Sequence, residues 1–179
     1  VLEETARQFT VCPFELGLDL SAWCDVVIGD YNYLFDPVVR LHRFFDSAGD
    51  WLFLIDEAHN LPDRARAMYS AQFSKSSLTE AKRTLGKGKS PLKAALTRAD
   101  KAFLETRKQT AEQGGTAFLQ ELPAELLKPL HALQAPLQDW LEQNPDTEAH
   151  AQLLDLYFAV QDITRAAERY DEHFVTQLS

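Results

Sequence analysis

The chain has 179 residues and a mass of 20.3 kDa, with 45% hydrophobic and 25% charged residues. That composition is globular, and 7 Gly with 8 Pro exclude a collagenous or linker-like chain. Two Cys exclude a disulfide framework or a four-thiolate metal site within the chain, no apolar run reaches the ~20 residues that cross a bilayer, and a net charge of −9 disfavours nucleic-acid binding by the chain as a whole.

Residues 1–11, VLEETARQFTV, have neither the basic start nor the apolar stretch of a signal peptide. They lack an initiator Met and look like the end of a helix, so the chain reads as a piece of a longer protein. Residues 13–23 read as a short helix despite Gly17. Val26-Val27-Ile28 and Trp51-Leu52-Phe53-Leu54-Ile55 are apolar on both faces, as buried parallel strands are. Between them, Asp36-Pro37 reads as a cap followed by Pro at the first helical position. Val38, Leu41, Phe44 and Phe45 mark one face of that helix, and Gly49 closes it. Strand, helix, strand is a crossover unit, so these residues predict part of a parallel α/β sheet.

From residue 61 onward the pattern is helical and no strand is expected. Residues 77–85 form a short helix ended by Gly86. Ser90 and Pro91 cap the next helix, whose stripe is Leu92, Ala95, Leu96, Ala99 and Phe103. Gly114-Gly115 breaks the chain. Leu126, Leu130, Leu133, Leu137 and Trp140 step by three and four, a core stripe or coiled-coil-like seam. A turn at residues 144–147 leads into a last helix carrying Leu153, Leu156, Val160, Ile163, Ala167, Tyr170 and Phe174.

Charge is unevenly placed. Residues 75–108 hold ten basic and three acidic residues, a net +7, against −16 for the rest. That segment is a candidate for tracking a nucleic-acid backbone, with Lys82, Arg83, Lys87, Lys89 and Lys93 as the residues of interest; a solvated helix face is the alternative. Gly86-Lys87-Gly88-Lys89-Ser90 has neither the preceding strand nor the glycine spacing of a phosphate loop and reads as a turn. The five His have no metal-ligand spacing.

The most informative segment is Phe53-Leu54-Ile55-Asp56-Glu57-Ala58-His59-Asn60. An apolar strand ending in Asp-Glu is the Walker B pattern of nucleotide-hydrolysing motors. The strand end opens where ligands of parallel sheets sit. Asp56 would then hold Mg²⁺ of Mg-ATP, largely through water, and Glu57 would polarise the water attacking the γ-phosphate. His59 would couple the nucleotide site to a neighbouring lobe. The alternative is an ordinary strand capped by a solvated acidic pair.

Three motifs occur in order: Cys12-Pro13-Phe14, then residues 24–37 (CDVVIGDYNYLFDP), then Leu54-Ile55-Asp56-Glu57-Ala58-His59-Asn60-Leu61. Together they resemble the iron–sulfur superfamily 2 DNA helicases of the xeroderma pigmentosum group D type, and among these the bacterial damage-inducible G helicases. The resemblance covers roughly residues 11–70, and later residues match by position and helical character alone. It implies a mainly α chain with a small parallel β element: a partial RecA-like motor domain (βαβ) over residues 1–72, and a helical arch-type bundle over residues 73–179. It implies that Cys12 is the last ligand of a [4Fe–4S] cluster in the parent protein, some relatives lacking that cluster. Cys24 is expected to be a small buried residue.

The function implied is that of an internal piece of an ATP-dependent 5′-to-3′ DNA helicase, acting in repair. Its partners would be single-stranded or forked DNA and the remaining motor domains of the same polypeptide, with no membrane, in a bacterial cytoplasm at the nucleoid. The chain itself has no GxxxxGK[ST] loop and too few thiolates for a cluster, so alone it is expected to be inactive and to hold no cofactor. The rival readings are a non-enzymatic helical module binding protein or DNA, and a degenerate ATPase-like scaffold.

Overall fold

The computed structural model describes residues 1–46, 49–112 and 114–179. The chain divides into two units, Val1–Met68 and Tyr69–Ser179.

The first unit carries short elements: α1 (Leu2–Phe9), α2 (Pro13–Ser21), α3 (Asn32–Phe35), α4 (His42–Phe45), a 3₁₀ turn (Ala58–Asn60) and α5 (Leu61–Tyr69), which runs across the boundary. Thr10 ends α1 in the left-handed conformation at φ 55°, and the Val11 N–H closes the end on the Ala6 carbonyl at 3.0 Å. Pro13 starts α2, where its missing N–H costs nothing. Arg43 ties α4 back to α2 by ion pairs to Glu15 at 3.3 Å and Asp19 at 3.1 Å.

The expected parallel crossover is absent. Residues 26–28 and 51–55 form no strand, and the sheet present among the described residues is a two-stranded antiparallel one elsewhere. Val26 and Ile28 are 78% and 96% exposed. Residues 51–55 carry no regular secondary structure and all are exposed, Leu52 and Leu54 at 90% and 94% and Trp51, Phe53 and Ile55 at 51%, 45% and 37%. The Phe45 ring packs against Trp51 and Phe53, with centroids 5.7 and 5.9 Å away. The physical reason is pairing. A run apolar on both faces becomes a strand when a second extended backbone satisfies its N–H and C=O groups, and no described residue does so. The mainly α expectation holds; the parallel β element and the RecA-like βαβ motor core do not.

The intervening helix also fails to extend. Asp36 does cap, its Oδ1 accepting from the Val38 N–H at 2.8 Å, and the Arg40 N–H begins a helical ladder on the Asp36 carbonyl at 2.9 Å. The β-branched pair Val38-Val39 propagates a helix poorly, and the Leu41 N–H turns back to the Tyr33 carbonyl at 2.8 Å. A turn and the single-turn α4 result, and the last predicted helical positions, Ser47 and Ala48, lie outside the described residues. Cys24 is exposed rather than buried, its thiol donating to the Leu20 carbonyl at 3.5 Å.

The second unit is a helical bundle of α6 (Lys75–Thr84), α7 (Pro91–Glu112), α8 (Ala124–Gln143) and α9 (Ala149–Glu168). Two three-residue strands, β1 (Ala117–Leu119) and β2 (Thr176–Leu178), pair antiparallel with Ala117 opposite Leu178. They correct the expectation that no strand follows residue 61; runs this short carry no readable period. Tyr170 helps close the pair, its hydroxyl lying 3.1 Å from Thr176 Oγ1 and donating to the Leu119 carbonyl at 3.4 Å.

Caps explain the helix bounds. Ser74 Oγ accepts from the Ser76 N–H at the start of α6, and Gly86 follows its end at φ 61°. Ser90 Oγ accepts from the Lys93 N–H at 3.1 Å, with Pro91 opening α7. Most of the predicted stripe residues form the core: Leu92, Leu96, Leu130, Leu133, Leu137, Leu153 and Val160 are fully buried, joined by Leu78 of α6, whereas α9 ends at Glu168, so the expected continuation to Tyr170 and Phe174 lies beyond the helix and outside that core. Helix α8 keeps its course through Pro129 and Pro136, because the carbonyls these prolines leave free belong to the exposed Glu125 and Ala132.

One charged hub is set into this bundle. Asp100 of α7, 15% exposed, meets Lys75 Nζ at 2.8 Å and Lys82 Nζ at 2.9 Å, both from α6. The Lys75 and Lys82 ammoniums hold its carboxyl below the usual carboxylate range, against partial burial. A carboxyl depressed in the folded state contributes stability above its unfolded pKa, and that contribution is lost as pH falls through the folded value. Asp100→Asn should therefore lower stability by about 1–2 kcal/mol at neutral pH and flatten the acid limb of a urea-denaturation series. An unchanged acid limb would show that the hub contributes nothing.

Candidate functional site

The candidate chemistry sits directly after residues 51–55. Asp56 and Glu57 form a tight turn, with Glu57 in the left-handed region at φ 50° and ψ 35°. That conformation costs a non-glycine residue about 1–2 kcal/mol. Two contacts hold it: Asp56 Oδ1 accepts from the Glu57 N–H at 2.9 Å, and the Asn60 N–H donates to the Glu57 carbonyl at 2.9 Å. The 3₁₀ turn then brings two side chains back onto the Glu57 carboxylate. His59 Nε2 lies 3.3 Å from Glu57 Oε2, and Asn60 Nδ2 donates to the same oxygen at 3.4 Å. The predicted trio Asp56, Glu57 and His59 is thus gathered within one turn. Asn60, which the motif reading gave no role, joins it; its signal is the three-residue spacing from Glu57, which a helical turn brings to one face.

Chemically, the turn offers an exposed carboxylate oriented by an imidazole and an amide, beside a second carboxylate. Such a pair can order a water and accept its proton. No group of three His, Cys, Asp or Glu that could hold a metal exists among the described residues. Asp56 alone would offer Mg²⁺ one exposed carboxylate, and the rest of that ion's shell would have to come from water and substrate phosphates. A [4Fe–4S] cluster does not fit the residues present: the chain has two Cys, both free, and a cluster needs four ligands.

Other predicted residues lie as follows. Cys12 is exposed and caps α2, its carbonyl accepting from the Leu16 N–H at 3.0 Å. The next aromatic, Phe14, packs on Tyr33 at 6.1 Å between centroids, and the Arg64 guanidinium stands 5.1 Å above the Tyr31 ring. The first contact brings the Cys-Pro-Phe and Tyr-Asn-Tyr motifs together, and the second ties α5 to the latter. In the second unit, Lys82 is committed to Asp100, and the Lys93 ammonium donates to the Gly86 carbonyl. Arg83, Lys87 and Lys89 are exposed, the two lysines on the turn shaped by Gly86 and Gly88 at positive φ. No helix among the described residues is long and apolar enough to cross a membrane.

The family model described as DEAD_2 matches residues 1–78. The Fanconi anemia group J protein homolog of Gallus gallus is 32% identical over 84 residues, 47% of this chain and 7% of that protein. The General transcription and DNA repair factor IIH helicase subunit XPD of Schizosaccharomyces pombe is 27% identical over 84 residues, 47% of this chain and 11% of its own length. The Regulator of telomere elongation helicase 1 homolog of Drosophila persimilis is 29% identical over 80 residues, 45% of this chain and 8% of its length. No solved structure matches. These relatives are eukaryotic, so the similarity does not single out the bacterial damage-inducible G helicases. The chain spans about a tenth of the length of the relatives it matches. Over that part the chain is a distant, partial match to the superfamily 2 DNA helicases that include the XPD and Fanconi anemia group J proteins.

Proposed function

We propose that this chain is part of a longer ATP-dependent, 5′-to-3′ DNA helicase, and that Asp56, Glu57 and His59 belong to its nucleotide site. The observation that carries the reading is the turn at Glu57. It lies inside the matched residues 1–78, and there a strained backbone holds an acidic side chain between His59 and Asn60. In the longer protein Asp56 would hold Mg²⁺ together with the nucleotide's phosphates, an ion that neutralises charge developing on the transferred phosphoryl group. Glu57 accepts the proton of the attacking water, and His59 and Asn60 hold its carboxylate in place. The second unit serves as an arch-type element on single-stranded or forked DNA. A bacterial, nucleoid-associated setting and a role in repair are part of this proposal.

The test is ATP hydrolysis by the longer protein with and without single-stranded DNA, followed by strand separation on a forked substrate with a 5′ tail. DNA-stimulated turnover with 5′-to-3′ unwinding supports the reading; absence of both overturns it. A second reading, a non-enzymatic helical module, draws on the self-contained core of residues 69–179. It requires nucleic-acid or protein binding with no turnover in the longer protein.

Cys12 is proposed as one cluster ligand of that longer protein, the rest coming from outside this chain. Cys12→Ser should lower its iron content and unwinding more than its basal ATP hydrolysis. Iron analysis and visible absorption of the purified protein decide this, and a wild-type protein without iron would end the idea.

A further inference from the structure

Helix α5 follows the acidic turn without a break. Ala58–Asn60 make the 3₁₀ turn, and Leu61, which closes it, already has helical backbone at φ −58° and ψ −40°. The direction in which α5 leaves therefore sets where Asn60 meets the Glu57 carboxylate. Yet α5 fully buries none of its side chains. Among the described residues, those side chains make two polar or ring contacts. Arg66 pairs with Asp63 inside the helix, and the Arg64 guanidinium lies 5.1 Å from the centre of the Tyr31 ring. Only the second reaches another element. Arg64 stands four residues after Asn60, about one helical turn, which puts the two on one face. Tyr31 is itself held. Its carbonyl accepts from the Leu34 and Phe35 N–H groups at 3.0 Å, and the neighbouring Asp30 Oδ1 accepts from the Asn32 N–H at 2.9 Å. The Tyr31 hydroxyl is buried without a hydrogen-bond partner among the described residues, so what this residue offers is its ring. A guanidinium is drawn to such a face by cation–π attraction, and Arg64 has no competing ion pair among the described residues.

We infer that the stack of Arg64 on Tyr31 is a clamp on the Glu57 turn. It fixes the start of α5 and so keeps Asn60 and His59 against the carboxylate that accepts the water proton. Arg64 and Tyr31 are then positioning residues that act through Glu57, an inference that rests on the reading of Glu57 as the base. A cation–π contact with one exposed partner is worth a factor of about two to five in an equilibrium, which bounds the effect of losing it.

Two measurements test it. In the full chain, amide hydrogen exchange reads whether the clamp holds the turn. Arg64→Gln should speed exchange of the Asn60 N–H, which donates to the Glu57 carbonyl, by about two- to fivefold, with no change in α1 or in the helices of the second unit. In the longer helicase, Arg64→Gln and Tyr31→Leu should each lower kcat by about two- to fivefold with KM for ATP unchanged. The double variant should lose no more than either alone. Tyr31→Phe keeps the ring face and should recover most of what Tyr31→Leu loses. Arg66→Gln, in the same helix but paired within it, should change little. In a Glu57→Gln background, Arg64→Gln should have no further effect on the residual turnover, as a residue acting through Glu57 requires. Circular dichroism checks that each variant folds. Unchanged exchange at Asn60, additive losses from Arg64→Gln and Tyr31→Leu, an equal loss in Arg66→Gln, or a raised KM with kcat intact would each overturn the inference. Failure of the base reading looks different: Glu57→Gln itself would keep its turnover. Loss of turnover in Glu57→Gln with full kcat in Arg64→Gln would remove the clamp and leave the base in place.

Discussion

Glu57→Gln in the longer helicase should lower ATP turnover by about 10²–10⁴-fold while nucleotide binding is retained. The amide keeps the size of the side chain, so the turn at φ 50° and the Asn60 contact have no steric cause to change. What disappears is the capacity to accept a proton from water. Triphosphate contacts lie mainly on other groups, so affinity for nucleotide should stay close to wild type. Steady-state hydrolysis and binding of a fluorescent nucleotide, measured on the same preparation, separate the two quantities. His59→Ala should show the smaller loss expected of a positioning residue, since His59 touches the Glu57 carboxylate. Near-wild-type turnover by Glu57→Gln would remove Glu57 from the role of base.

The largest effect on stability is expected at Leu133. This residue of α8 is fully buried among Leu92, Leu96, Leu153 and the other core side chains of the second unit. Leu133→Ala removes several methyl and methylene groups and leaves a cavity that rigid neighbouring helices cannot wholly close. The cost should be about 2–5 kcal/mol. Leu104→Ala on α7, 41% exposed, should stay within about 0.5 kcal/mol. Urea denaturation of the full chain, followed by its helical circular dichroism signal, reads both values. A Leu133→Ala midpoint matching that of Leu104→Ala would show that the bundle core is not the one described.

In the second unit, local rules and tertiary packing agree. Ser90 and Pro91 mark a helix start, Gly86 marks an end, and leucines three and four apart fall on the faces that become the core, while α6 starts two residues before its predicted position, at the Ser74 cap. Each signal acts within a turn or two of the chain, so it is readable from residues alone. In the first unit, an apolar run is an incomplete instruction. Residues 26–28 and 51–55 have the composition of buried strands, yet a strand exists only between backbones, and the partner is not written in the run itself. The helix expected after Asp36 shows the same limit on a smaller scale. Its cap forms, and a hydrogen bond from Leu41 to the distant Tyr33 then diverts the chain.

The candidate sites divide along the same line. Asp56, Glu57 and His59 are legible because all three lie within one turn, and Asn60 follows from the same spacing. The basic segment is legible as a charge but not as a surface. Which cations are free depends on residues far away in sequence: Asp100, 18 positions from Lys82, takes that lysine and Lys75 out of play. Arg107, over 20 positions from Arg83, becomes its neighbour because α7 folds back along α6. Most of the bundle helices, the Ser90-Pro91 cap and the leucine core follow from the residues alone, through short-range sterics, hydrogen bonding and side-chain period, whereas the turn at Asp56-Glu57 stands where the residues predict the end of a strand. Whether apolar runs pair into a sheet, and which charges stay free, is settled by tertiary structure, because both depend on groups that the fold, not the local chain, brings within a few ångströms.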